Sequence, residues 1–86
     1  MKRTFTDEGW DDYQHWQETN RKQVKRINQL IEDIDRHPFT GIGKPEPLKG
    51  NLSGYWSRRI DSEHRLIYAV DEIAVTYISF RYHYTK

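Results

Sequence analysis

The sequence predicts an α+β domain: an antiparallel sheet with an N-terminal two-helix hairpin packed on one face, in the order β-α-α-β-β-β. Three observations carry this. Two successive segments in the first half space their apolar residues as helices do. A stretch crowded with proline and glycine then interrupts the chain. Beyond it lie three strand-like runs joined by short polar connections.

The first element is a short strand, "KRTFT". Thr6 follows as an N-cap, with Asp7 and Glu8 in the first helical turn, where the helix dipole favours anions. Trp10, Tyr13 and Trp16 recur every three residues, an aromatic stripe on a helix running to about Thr19. Asn20 is placed to cap a second helix, with Gln23 reaching back from the third position. Val24, Ile27, Leu30, Ile31 and Ile34 form its apolar face, and Pro38 ends it at His37.

All three prolines and four of the five glycines fall between positions 38 and 54, in "PFTGIGKPEPLKGNLSG". A loop this long in so short a chain is a candidate functional segment. The runs "GYWSRRI", "HRLIYAV" and "IAVTYISFRYHY" then read as strands, with "DSE" and "DE" short enough for antiparallel hairpins. Alternation puts Trp56 and Ile60 on the core face and Tyr55, Ser57 and Arg59 outside. The last run is apolar on both faces, as in a central strand. Pairing is expected through about Tyr82, with His83, Arg81, Ser79 and Tyr77 on one face.

Composition narrows the chemistry. With 86 residues the chain is expected to form one domain, and 12 aromatic residues (three Trp, six Tyr, three Phe) compensate for a hydrophobic content of 35%. The absence of cysteine excludes disulfides, thiolate catalysis and cysteine-based zinc sites. There is no membrane-length apolar run and no signal-peptide core, so a soluble cytoplasmic protein is expected. Net charge is only +1, but its distribution is uneven: "DEGWDD" is acidic and "RKQVKR" basic, and Lys44, Lys49, Arg58, Arg59 and Arg65 populate the middle.

Four groups of residues bear chemistry. Glu46 lies between Pro45 and Pro47 with Lys44 and Lys49 nearby, so a stiff extended segment presents an ionised carboxylate suited to a general base. A solvated loop glutamate has the same signature. Arg58, Arg59 and Arg65 sit on neighbouring strands, where guanidiniums converge to clamp a phosphate or pair with Asp61 and Glu63 across the sheet. His83 is a candidate general acid, and Tyr82 and Tyr84 are candidates for stacking on bases or for packing. His15, His37, His64 and His83 have no metal-ligand spacing, and no metal or other cofactor is expected. A carboxylate, arginines and a histidine without metal or thiol suit RNA cleavage through the 2′-OH.

The stretch "GKPEPLKGNLSGYWSRRIDSEHRLIYAV" with the terminal "RYHY" closely resembles the YoeB toxins, of the Txe/YoeB branch of the RelE-like superfamily. "WDDYQHWQET" and "KRINQLIEDI" extend the resemblance over essentially the whole chain. It implies a microbial RNase-like fold and a toxin of a type II toxin–antitoxin module that cleaves mRNA in the ribosomal A site and arrests translation. It also implies a homodimer and neutralisation by a YefM-like antitoxin. Carried over by position, Glu46 is the general base and His83 the general acid. Arg65 stabilises the phosphate transition state, Tyr84 orients the scissile nucleotide, and Lys49 and Arg59 support the phosphate. This chain continues with Thr85 and Lys86 past the tyrosine where family chains commonly stop. A rival reading, a non-catalytic module that occludes the ribosomal A site, needs the same basic surface without proton transfer, and a third is an interaction domain whose aromatics serve a partner helix.

Overall fold

The computed structural model describes residues 1–82. Strand β1 (Lys2–Phe5) leads into helix α1 (Asp7–Thr19), and α2 (Arg21–Arg36) follows after one residue. Thr6 caps α1 as its sequence position predicts: Oγ1 accepts from the Gly9 amide at 3.0 Å. The same hydroxyl donates to the Ile78 carbonyl at 2.8 Å, which ties the helix start to the sheet. Asn20 caps α2 through Oδ1, which accepts from the Gln23 amide. Gln23 does not reach back to close a capping box. Its side-chain amide donates to Asp61 Oδ2 at 2.8 Å, a tertiary partner that outcompetes the local one. Helix α2 stops at His37, ahead of Pro38.

Strands β2 (Glu46–Pro47), β3 (Trp56–Arg59), β4 (Arg65–Val70) and β5 (Ala74–Ser79) complete a five-stranded sheet in the order β1-β5-β4-β3-β2. The β3–β4 and β4–β5 pairs are the expected antiparallel hairpins, and β5 is indeed flanked on both sides. The sheet departs from expectation at its edges. β1 pairs with β5 in parallel, because the whole chain lies between them and no hairpin sets their direction. The proline-rich segment contributes β2, antiparallel to β3, and a short 3₁₀ turn at Gly50–Leu52.

Helices cover one face of the sheet. Trp16, Ile27, Leu30, Ile31 and Ile34 meet Ile60, Leu66, Tyr68, Val75, Tyr77 and Phe80 in one core. The aromatic stripe of α1 only partly enters it: Trp16 is buried, Tyr13 half-buried and Trp10 exposed. Steps of three residues at about 100° each drift by roughly 60° per step, so the three rings fan around the helix. Trp10 and Tyr13 close the rim instead, stacking on each other, with Phe5 packed edge-on to Trp10 and tilted against Tyr13. Gly9 lets α1 approach β5, since a Cβ there would strike the Tyr77 carbonyl.

A bulge between Ile67 and Tyr68 shifts the register of the last strand. Tyr77 stands opposite Tyr68 on the helix side, while Ser79 stands opposite Ile67 on the other. The face shared by Tyr77, Ser79 and Arg81 in a strict alternation is therefore split, with Tyr77 in the core.

Candidate active site

The side of the sheet away from the helices collects Glu46, Arg59 and Arg65 of the predicted site. Glu46 pairs with Ser57, Ser57 with Ile67 and Ile67 with Ser79, so these four form one row across four strands. The Arg59–Arg65 pair forms the adjacent row on the same side. Two residues along a strand are about 6.6 Å and neighbouring strands about 4.8 Å apart, which brings a carboxylate and two guanidiniums within reach of one phosphodiester. Beside them a cleft of about 350 Å³ is lined by Tyr55, Leu52, Ile67, Ser79, Arg81 and Tyr82, with Glu8 at its edge. Glu46 is exposed. Lys49 is also exposed and starts the 3₁₀ turn that follows β2.

Arg59 and Arg65 are held differently. Arg59 is exposed, and its backbone is fastened to the loop through its amide and the Gly43 carbonyl, 2.6 Å apart. The Arg65 guanidinium is half-buried. Its Nη1 donates to the carbonyls of Asp61 at 2.9 Å and His64 at 3.2 Å, which sets the side chain's direction. Those carbonyls belong to a turn fixed by Asp61, whose Oδ1 accepts from the amides of Glu63 and His64. Burial acts against the Asp61 carboxylate, but these amides and the Gln23 side chain outweigh it and hold its pKa below the ordinary 3.8.

Arg58 does not join the cluster. It is wholly buried on the helix side, where Nη1 meets Asp33 Oδ2 at 2.6 Å and the Ile42 carbonyl at 2.9 Å. Nη2 donates to the carbonyls of His37 and Thr40, and Nε to the Tyr68 hydroxyl. All five N–H donors of the guanidinium are thus used, and four of them organise the turn from α2 toward Glu46. The Arg58 hydrogen bond lowers the pKa of Asp33. Gly41, at φ 121°, is required here because a Cβ would collide with Asp33 Oδ2.

After Ser79 the regular ladder expected to continue to Tyr82 gives way to side-chain partners and one backbone bond to β4. The Phe80 amide donates to Asp12 Oδ2 at 2.9 Å, and its carbonyl accepts from Trp16 Nε1 at 2.9 Å. The Tyr82 amide donates to His64 Nδ1 at 2.7 Å, and its carbonyl accepts from the Arg65 amide at 3.1 Å. Arg81 lies over the Tyr82 ring, 4.9 Å from its centroid, and donates to its hydroxyl. His83 and Tyr84 lie outside the described residues. Asp12, Trp16 and His64 are the site's supports that sequence reasoning missed. No local pattern signals them: Asp12 follows Asp11, and His64 lies between Glu63 and Arg65.

The class these features define is a small α+β toxin fold with a basic, aromatic-lined sheet face. Solved structures agree closely. A YoeB/ParE toxin from Agrobacterium tumefaciens superposes with a TM-score of 0.95 at 50% identity, covering 98% of this chain and 100% of that one. The YoeB dimer from Staphylococcus aureus gives 0.92 at 48% identity, covering 98% of each chain. The YoeB–YefM complex from the same organism gives 0.90 at 49% identity, again over 98% of each. Toxin YoeB of Streptomyces coelicolor is 61% identical over 84 residues, 98% of this chain and 100% of the relative. The family model for the YoeB-like toxin of the bacterial type II toxin–antitoxin system matches residues 5–84, and the chain belongs to that family.

Proposed function

We propose that this chain is a ribosome-dependent endoribonuclease that cleaves mRNA in the ribosomal A site and so arrests translation in the cytoplasm. The observation that carries the reading is the register placing Glu46, Arg59 and Arg65 on one open face beside the cleft. In this scheme Glu46 takes the proton of the 2′-OH, and the freed oxygen attacks the adjacent phosphorus. The bond from phosphorus to the 5′-oxygen breaks, and His83 returns a proton to the leaving oxygen. The products are a 2′,3′-cyclic phosphate, or the 3′-phosphate from its hydrolysis, and a 5′-hydroxyl. Arg65 stabilises charge on the transferring phosphate, and Arg59 and Lys49 draw the RNA backbone onto the face. Tyr84 orients the scissile nucleotide. Acid–base cleavage through the 2′-OH requires no metal.

Family membership and the S. aureus assemblies support a homodimer and neutralisation by a YefM-like antitoxin. In vitro translation with primer extension tests the reading. Wild-type protein should produce discrete cuts within the A-site codon bearing cyclic or 3′-phosphate ends, and Glu46→Ala with His83→Ala should abolish them. Translation arrest without cleavage would establish occlusion instead, and a 3′-hydroxyl end would exclude the acid–base mechanism.

A further inference from the structure

His64 is buried, is not part of the acid–base scheme, and makes a contact unusual for a core histidine. Its Nδ1 accepts a hydrogen bond from a backbone amide, that of Tyr82, at 2.7 Å. A ring nitrogen that accepts carries no proton, so the neutral imidazole bears its proton on Nε2. That nitrogen lies 3.7 Å from the Glu63 carboxylate. The ring cannot turn freely. The Trp16 indole packs edge-on against it at 4.9 Å, and the His64 amide is fastened to Asp61 Oδ1 at 2.7 Å.

The residue on the other end of this contact is itself exceptional. Tyr82 has φ 62°, the left-handed region that side-chain-bearing residues avoid. Its amide and carbonyl are both engaged, by His64 Nδ1 and by the Arg65 amide. A strained backbone held on both sides next to functional residues points to a role for the strain. Here the strained residue immediately precedes His83.

We propose that neutral His64 is a positioning residue for the reaction: its Nδ1 fixes the Tyr82 backbone and thereby the anchor point of the segment carrying His83 and Tyr84. The inference rests on the nuclease reading above and deepens it. The charged and titratable groups around the ring are Asp61, Glu63 and Arg65 on its own turn and strand. His15 lies behind Trp16 on α1, and the Tyr82 phenol with Arg81 lies on the terminal run.

Two full-length variants separate positioning from packing. His64→Asn offers a carbonyl oxygen near the place of Nδ1 and cannot be protonated. His64→Phe keeps a ring against Trp16 and offers no acceptor. Cleavage of programmed ribosomes is measured from about pH 5 to 8, and amide exchange at Tyr82 is followed in the same proteins. His64→Phe should lose about tenfold or more in kcat with KM little changed, and Tyr82 should exchange faster. His64→Asn should stay within about threefold of wild type. The proposal is overturned by a fully active His64→Phe, by unchanged Tyr82 exchange, or by His64→Asn failing as badly as His64→Phe. Should His64→Phe not fold, wild-type imidazole nitrogen shifts decide. A proton on Nε2 supports the anchor, and a proton on Nδ1 refutes it. Wild-type protein that cleaves nothing would refute the nuclease reading itself, while the exchange data would still decide whether His64 holds Tyr82.

Discussion

Replacing Arg58 offers the sharpest test of how the loop carrying Glu46 is built. The guanidinium supplies five donors to five acceptors: Asp33 Oδ2, the Tyr68 hydroxyl and the carbonyls of His37, Thr40 and Ile42. Arg58→Ala leaves a carboxylate without its ion-pair partner and three carbonyls without donors. Breaking a buried pair from one side costs about 3–5 kcal/mol, and water entering the partly buried turn recovers some of the carbonyl loss, so the net should be about 4 kcal/mol. A domain of this length has roughly 4–13 kcal/mol in total, so the variant should be marginally folded. Arg58→Lys keeps the charge but has only three donors, which leaves two acceptors unserved and should cost about 2 kcal/mol. Urea denaturation should order the proteins wild type, Arg58→Lys, Arg58→Ala at similar m-values. A double-mutant cycle with Asp33→Asn should show coupling of about 1 kcal/mol or more. If Arg58→Ala costs under about 1 kcal/mol, the turn rehydrates freely and the donor count is the wrong basis for its stability. If Arg58→Lys is worse than Arg58→Ala, fit rather than hydrogen bonding governs the site.

Asp12→Ala strips the acceptor from the buried Phe80 amide and should lower stability by about 2 kcal/mol in the same denaturation assay. Both Asp33 and Asp61 have folded pKa values below the ordinary 3.8. Their contribution is present above the unfolded value and is lost as pH falls through the folded ones, so thermal stability should hold near neutrality and decline below about pH 4. In cleavage assays, deleting Thr85 and Lys86 should change the rate by less than about threefold, whereas deleting Tyr84 as well should approach a hundredfold loss. An antitoxin that lays acidic and apolar residues over the basic face should protect residues 81 to 84 from hydrogen exchange, and unchanged exchange with full inhibition would show neutralisation from a distance.

What the sequence made legible was local. Thr6 and Asn20 announce helix starts by chemistry acting over three residues, and Pro38 announces a stop by sterics acting over one. Short polar connections fix two hairpins. The expected convergence of Arg58 with Arg59 and Arg65 failed because Arg58 turns to the core side with Trp56 and Ile60, where a buried arginine is credible only with a partner. That partner, Asp33, lies 25 residues earlier. The alternation failed after Tyr77 because a bulge is set by how β4 and β5 meet, and no single strand records it. Gln23 likewise chose Asp61 over its own helix end.

The same distinction bears on how the run after Ser79 is held. A terminal strand normally frays because its last amides and carbonyls can exchange the ladder for water. Here the backbone groups of Phe80 and Tyr82 leave the ladder and are taken by Asp12, Trp16, His64 and the Arg65 amide. Two of these partners come from α1, whose packing against β5 is bound up with the core. Releasing the terminal run therefore means disturbing the helix–sheet contact. On the proposed nuclease reading, the α1–β5 contact and cleavage are coupled. Gly9→Ala, whose added Cβ meets the Tyr77 carbonyl, should lower cleavage by more than its loss of folded protein explains. Measuring the cleavage rate per folded molecule for Gly9→Ala decides the matter. A variant with slackened α1 packing but wild-type specific activity would show that the terminal segment is positioned without the helix.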